Sequence, residues 1–216
     1  MSNYNPQKHH RRSIRLKGYD YSLEGLYFIT ICCQQRAHLF GEIADGEMRL
    51  NQFGAIAQAA WQQTSEIRDN VALHEFVVMP NHFHSIIEIT FKKGNNQVGK
   101  FQSPSQTVGA IIRGFKIATI KKIKDLILDK ELNLDCRGEL PADQDHPAEL
   151  SPYPENCGGE LQFAPTAEKI KSLNFKIWQR NYYEHIIRNE QAYERISTYI
   201  RENPKRWPED KFSSLK

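Results

Sequence analysis

His82 and His84 stand two residues apart in VVMPNHFHSIIEI (Val77 to Ile89), a run otherwise apolar enough for a buried strand. Side chains on a strand alternate faces, so both imidazoles point the same way, with Cα atoms ~6.5 to 7 Å apart. That separation lets them converge on one ion, while Phe83 between them goes to the opposite face. Two ligands do not complete a site, and a third polar group is needed. The C-terminal region offers one: Tyr199 and Asn203 are four residues apart on a helical pattern and share one helix face. A tyrosine on a packed helix face is in most proteins a core residue with its hydroxyl satisfied. The alternative is a phenol aimed at the histidine-bound ion. Phenol, with a pKa near 10, is a poor nucleophile unless its proton is relieved. A divalent cation that polarises a phosphate ester makes its attack feasible.

The elements around these residues are legible from their periodicity. GLYFITICCQ (25 to 34) is rich in β-formers and predicts a first strand. HLFGEI and EMRLN flank Ala-Asp-Gly, which predicts a short hairpin. Phe53, Ile56, Ala57, Ala60, Trp61, Thr64 and Ile67 recur at helical spacing behind Asn51, a suitable N-cap. VALHEFVVM and HFHSIIEI are two strands separated by Pro80-Asn81, either a hairpin or one long bent strand. Residues 105 to 130 form a helical pattern, YYEHIIR a strand, and Asn189 caps a last helix that Pro204 ends. This order lacks the strict alternation of a parallel α/β protein. It predicts α+β: an antiparallel sheet with helices on one face.

Composition sets the class. The 216 residues are 39% hydrophobic and 25% charged, ordinary for one globular domain. No apolar run approaches the ~20 residues of a membrane span, and the N-terminus lacks the apolar core of a secretory signal. Cys32, Cys33, Cys136 and Cys157 form neither a CxxC nor a zinc-finger pattern and read as reduced thiols, so a cytoplasmic location is expected. Net charge is only +3 but unevenly spread. A basic N-terminal arm (1 to 24) carries Lys8, Arg11, Arg12, Arg15 and Lys17. Residues 89 to 124 hold Lys92, Lys93, Lys100, Arg113, Lys116, Lys121, Lys122 and Lys124 with no acid. Residues 125 to 165 hold ten acids against Lys130 and Arg137. Such blocks read either as solvated faces or as a polyanion-binding surface beside an acidic, irregular insertion at about 128 to 165.

VVMPNHFHSIIEI together with IWQRNYYEHIIRNEQAYERISTYIRENPKRW resembles the HUH single-strand DNA transposases. The likeness is to their REP-associated tyrosine transposase branch. RRSIRLKGYDYSLEGLYFITICCQQRAHLFGEI and GAIIRGFK resemble the same family, and only the acidic insertion falls outside the likeness. The resemblance implies a ferredoxin-like fold with the HUH histidines on a central strand of a single domain, 1 to 216. It implies that His82, His84 and Asn203 bind Mg²⁺ or Mn²⁺. It implies that Tyr199 is the nucleophile in the cleavage and rejoining of hairpin-forming single-stranded DNA through a 5′-phosphotyrosine intermediate. Tyr182, Tyr183 and Tyr193 are competing nucleophiles. Arg11, Arg12, Arg15, Lys17, Arg113, Lys116, Lys121 and Lys122 are the candidate DNA contacts, with Tyr19, Tyr21 and Trp178 as stacking candidates. The chain is expected to act as a monomer or homodimer. Two rival readings remain: a nucleic-acid-binding module of the same shape without catalysis, and an HxH hydrolase that uses water.

Overall fold

The computed structural model describes residues 19–92, 107–135 and 160–213. Its centre is a four-stranded sheet in the order β4-β5-β1-β6, with every neighbouring pair antiparallel. The strands are β1 (Gly25–Cys32), β4 (Val71–Met79), β5 (His82–Ile89) and β6 (Tyr183–Ile187). β2 (Gly41–Ala44) and β3 (Glu47–Leu50) form the separate hairpin. Its two turn residues, Asp45 and Gly46, both have positive φ (55° and 75°), the geometry that suits an Asp-Gly two-residue turn.

α1 (Gln52–Ile67) follows the β2-β3 hairpin and carries the chain over to β4, the strand beyond β5. Asn51 caps it by accepting from the Gly54 amide at 2.9 Å. β4 and β5 are a tight hairpin, with Met79 opposite His82 across Pro80-Asn81. α2 (Val108–Asp135) and α3 (Glu160–Ser172) precede β6, and α4 (Glu190–Glu202) follows it. The main elements therefore run β1-α1-β4-β5-α2-β6, the ferredoxin-like order that was expected.

Alternation on β5 divides the core in two. Phe83 packs its ring against Trp61 of α1 (4.9 Å) and Phe115 of α2 (5.2 Å). The opposite face carries His82, His84 and Ile86, and here Ile86 and Ile187 meet Ile196 and Ile200 of α4. Thus α1 and α2 share one face, as expected, while α4 takes the other. Each buried isoleucine contributes roughly 1.5–3 kcal/mol, so four in this small cluster suffice to seat α4 firmly.

The acidic region differs from its reading. α2 continues through Asp135, and α3 begins at Glu160 with Ala167, Ile170 and Leu173 buried. Residues 136–159, with Cys136 and Cys157, lie outside the described residues, as do the arm residues 1–18 and residues 93–106. Cys32 and Cys33 are free thiols. No helix among the described residues is long and apolar enough to cross a membrane.

Candidate active site

His82 and His84 are both buried, at 0% and 1% exposure, with ring centroids 4.6 Å apart. Each ring is fixed through Nδ1. His82 Nδ1 lies 2.9 Å from Asn81 Oδ1, and His84 Nδ1 lies 2.8 Å from Thr30 Oγ1. The amide oxygen of Asn81 only accepts, so His82 Nδ1 carries the proton and Nε2 is left as a lone pair. That Nε2 is buried without a hydrogen-bond partner. Burial pushes His82 down to about 4 and His84 well below its ordinary value. Both rings are therefore neutral at pH 7, the form that donates to a metal.

α4 brings the remaining groups. Asn189 caps its start by accepting from the Ala192 amide at 2.8 Å. Ala192, Ile196 and Ile200 turn toward the sheet, and Tyr199 packs at the edge of that cluster. The Tyr199 hydroxyl reaches His84 Nε2 at 3.2 Å. Phe28 braces both, stacked on the His84 ring at 5.4 Å and edge-on to Tyr199 at 6.2 Å. Burial, and then the nearby Asp210 carboxylate, raise the Tyr199 phenol above its ordinary value. It is protonated at neutral pH.

Asn203 closes the helix as its C-cap and is 1% exposed. Its Nδ2 donates to Asp210 Oδ2 at 3.1 Å, and its Oδ1 is buried without a partner. The sequence reading did not include Asp210. A short 3-10 turn, Trp207–Glu209, folds the chain back so that Asp210 faces the histidines. Phe212 then lies over His82 at 4.6 Å, held by Asn81 Nδ2 donating to its carbonyl at 2.7 Å. A lone Asp after Pro208 has no spacing signature, so only the three-dimensional turn reveals it.

The ligand atoms of His82, His84 and Asp210 all lie within 4.8 Å of one another. Ligands ~2.0–2.2 Å from a common ion are at most about 4.4 Å apart. The group would have to draw together to share an ion. Two unsatisfied acceptors, His82 Nε2 and Asn203 Oδ1, need a donor or a cation in this same place. Two imidazoles, an amide oxygen and a carboxylate fit a divalent ion.

The other sequence candidates sort by position. Tyr193 belongs to the flank of α4, where its hydroxyl bonds His74 Nδ1 (3.0 Å) and Glu75 Oε2 (3.3 Å). Tyr182 packs with the core on the Phe83 side, under the Lys116 amine. Tyr183 lines the site cleft without a hydrogen bond to its residues. The α2 cations do not reach the site, because α2 covers the opposite face of the sheet. Lys116 donates to the Gln179 and Arg180 carbonyls at 2.8 and 3.4 Å, and Lys122 to Gln63 at 2.8 Å. Arg113 and Lys121 are exposed on that far layer. Arg11, Arg12, Arg15 and Lys17 lie outside the described residues. Instead, Arg195, Arg206 and Lys211 line the cleft, about 740 Å³, that opens onto His84 and Tyr199. Trp178 is buried, and Tyr19 and Tyr21 pack on the core.

The site thus combines a buried HxH pair, a tyrosine and a helix-end amide on an antiparallel α+β scaffold. No family model matches the chain. An uncharacterized protein of Haemophilus influenzae is 38% identical over 216 residues, spanning 96% of this chain and 95% of that protein. The chain belongs to one family with it. Among solved structures, a REP-associated tyrosine transposase bound to a REP hairpin aligns over 89% of this chain and 73% of its own. It is 17% identical, with a TM-score of 0.45. A candidate transposase from Deinococcus radiodurans aligns over 88% of this chain and 96% of its own, at 13% identity and a TM-score of 0.35.

Proposed function

We propose that the protein is a metal-dependent tyrosine transposase-type enzyme that nicks and rejoins single-stranded, hairpin-forming DNA. The observation that carries this reading is the Tyr199 hydroxyl 3.2 Å from His84 Nε2, beside the two unsatisfied acceptors on His82 and Asn203. A half-buried tyrosine that served packing alone has no need of two orphaned metal-type donors next to it. The motif resemblance gives the same assignment from the sequence side.

His82, His84 and Asn203, joined by Asp210, would hold Mg²⁺ or Mn²⁺. When bound, the ion supplies positive charge that polarises a phosphate oxygen and lowers the proton affinity of the phenol. The protein's own groups do the rest. Asn81 and Thr30 fix the imidazole orientations through Nδ1. Phe28 and the cluster under α4 hold the phenol in place. Tyr199 Oη attacks phosphorus and the P–O3′ bond breaks. The proton lost by the phenol balances the one gained by the departing 3′ oxygen. The product is a 5′-phosphotyrosine and a free 3′-hydroxyl, and the reverse attack rejoins DNA.

The test incubates the protein with single-stranded hairpin oligonucleotides and Mn²⁺ or Mg²⁺, then looks for a covalent band on a denaturing protein gel. A metal-dependent band that disappears in Tyr199→Phe and His82→Ala is expected. Cleavage without a band would mean attack by water, and a band surviving Tyr199→Phe would mean another nucleophile. Either result overturns the proposal.

A further inference from the structure

Tyr183 is one of the large side chains left exposed, at 46%. A single exposed aromatic is ordinary, but the position of this one is not. The register places Tyr183 opposite Thr30, and Thr30 opposite His84, in one row across β6, β1 and β5. Directly paired residues share a face, so Tyr183 rises from the same surface as the site. At ~4.8 Å per strand its backbone is ~10 Å from that of His84. That is about three nucleotide steps at ~3.4 Å per stacked nucleotide.

Its ring is also a wall between two hollows. On one side is the cleft of His84 and Tyr199, and on the other a second hollow of about 370 Å³. The second hollow is lined by Tyr21, His185, Arg188 and Asn189 among others. An edge-to-face contact with Phe28, 6.4 Å and 69°, steadies the Tyr183 ring without covering both its faces. Arg195 borders the first hollow and Arg188 the second, so each hollow has a cation in its lining for phosphates.

We propose that Tyr183 and the hollow beside it form a nucleotide subsite, which stacks an unpaired base a short step from the phosphate that Tyr199 attacks. The ligand class is a single-stranded nucleotide. A paired base cannot offer its face to the ring without unstacking, so the subsite selects single strands by shape. This inference rests on the proposed function, because that reading identifies what lies in the cleft.

The experiment measures fluorescence anisotropy of a short fluorescein-labelled oligothymidylate, and of its duplex with oligoadenylate, against wild type, Tyr183→Ala and Tyr183→Trp. The covalent-adduct assay is run on the same preparations with hairpin DNA. Stacking on one aromatic predicts about 5- to 150-fold weaker oligothymidylate binding in Tyr183→Ala. Binding is restored in Tyr183→Trp, and duplex binding is equal in all three. Oligothymidylate affinity unchanged in Tyr183→Ala, or an equal loss on single strand and duplex, overturns the subsite. A wild type that does not bind oligothymidylate overturns it too. The two readings separate cleanly. An adduct with no Tyr183 effect removes the subsite alone. A Tyr183-dependent preference for single strands with no adduct supports the subsite and removes the transposase chemistry.

Discussion

Saturating Mn²⁺ should raise the melting temperature of the protein, and His82→Ala should abolish the rise. The reasoning starts from His82 Nε2 and Asn203 Oδ1, buried and without partners, and from Asp210 within 4.8 Å of both imidazoles. An ion that binds only the folded chain at a hundred times its dissociation constant stabilises it by ~2.7 kcal/mol. For a chain of 150–250 residues each kcal/mol moves the midpoint by ~2–4 °C, so the expected rise is about 5–11 °C. Each variant is compared with its own metal-free form, which removes the cavity cost of the substitution. His82→Ala should shift by no more than ~1 °C. Asp210→Asn keeps the shape but removes the one charged group of the set; a tenfold weaker site takes away ~1.4 kcal/mol, or about 3–6 °C of the rise. The measurement is differential scanning calorimetry with and without Mn²⁺. A rise of equal size in wild type and His82→Ala would refute the assignment of the ion to this group. A full rise in Asp210→Asn would remove Asp210 alone.

Tyr199→Phe should leave the Mn²⁺ shift intact while abolishing the covalent adduct, and should cost about 0.5–1.5 kcal/mol for the hydrogen bond to His84, read by urea unfolding. Ile200→Ala, on the buried face of α4 and 1% exposed, should destabilise by roughly 2–5 kcal/mol and slow adduct formation as Tyr199 loses its seat; a normal rate at full occupancy of the fold would show that α4 is held elsewhere. The metal-free protein should also be acid-sensitive. His82 has a folded pKa of about 4 against ~6.5 unfolded, so below 6.5 the unfolded chain binds the extra proton. Stability therefore falls as pH drops from 6.5 to 4, by about 3 kcal/mol from this group, and urea midpoints that stay flat across that window would contradict it.

Much of this was legible in the sequence because the signals were local. Alternation put His82 and His84 on one face and Phe83 on the other. The i, i+4 spacing put Tyr199 and Asn203 together on one face of the last helix. Three things were not legible. Asp210 reaches the site through a backbone turn with no periodic pattern. α3 was hidden because Pro165 and an acidic, proline-rich neighbourhood masked the spacing of Ala167 and Ile170. The third is where the α2 cations, candidate DNA contacts by charge alone, lie relative to the site. Charge along a helix says nothing of which side of a sheet the helix covers, and Phe115 against Phe83 settles that α2 lies behind the site.

The proposed nucleophile and one proposed ligand share a single helix, and this has a mechanical consequence. Tyr199 and Asn203 are one turn apart on α4, so any rigid movement of α4 displaces both relative to His82 and His84. Three attachments oppose such movement. The middle is seated by Ile196 and Ile200 on Ile86 and Ile187. The flank is clasped by Tyr193 to His74 and Glu75, with Arg201 on Glu75 at 3.3 Å. The end is tied by Asn203 to Asp210. The clasp is partly exposed and includes an ion pair, each such pair being worth ~0–1 kcal/mol, whereas the apolar seat is worth several. The end tie is different in kind, because it links the two oxygen-bearing ligands to each other. An ion drawing on Asp210 and Asn203 together pulls on α4 and on the C-terminal turn at once. Without an ion the seat and the Asn203–Asp210 bond both remain, so a bound ion would add to the hold on that end. The apolar cluster thus sets where Tyr199 stands, and the ligand set decides how tightly its helix is held there.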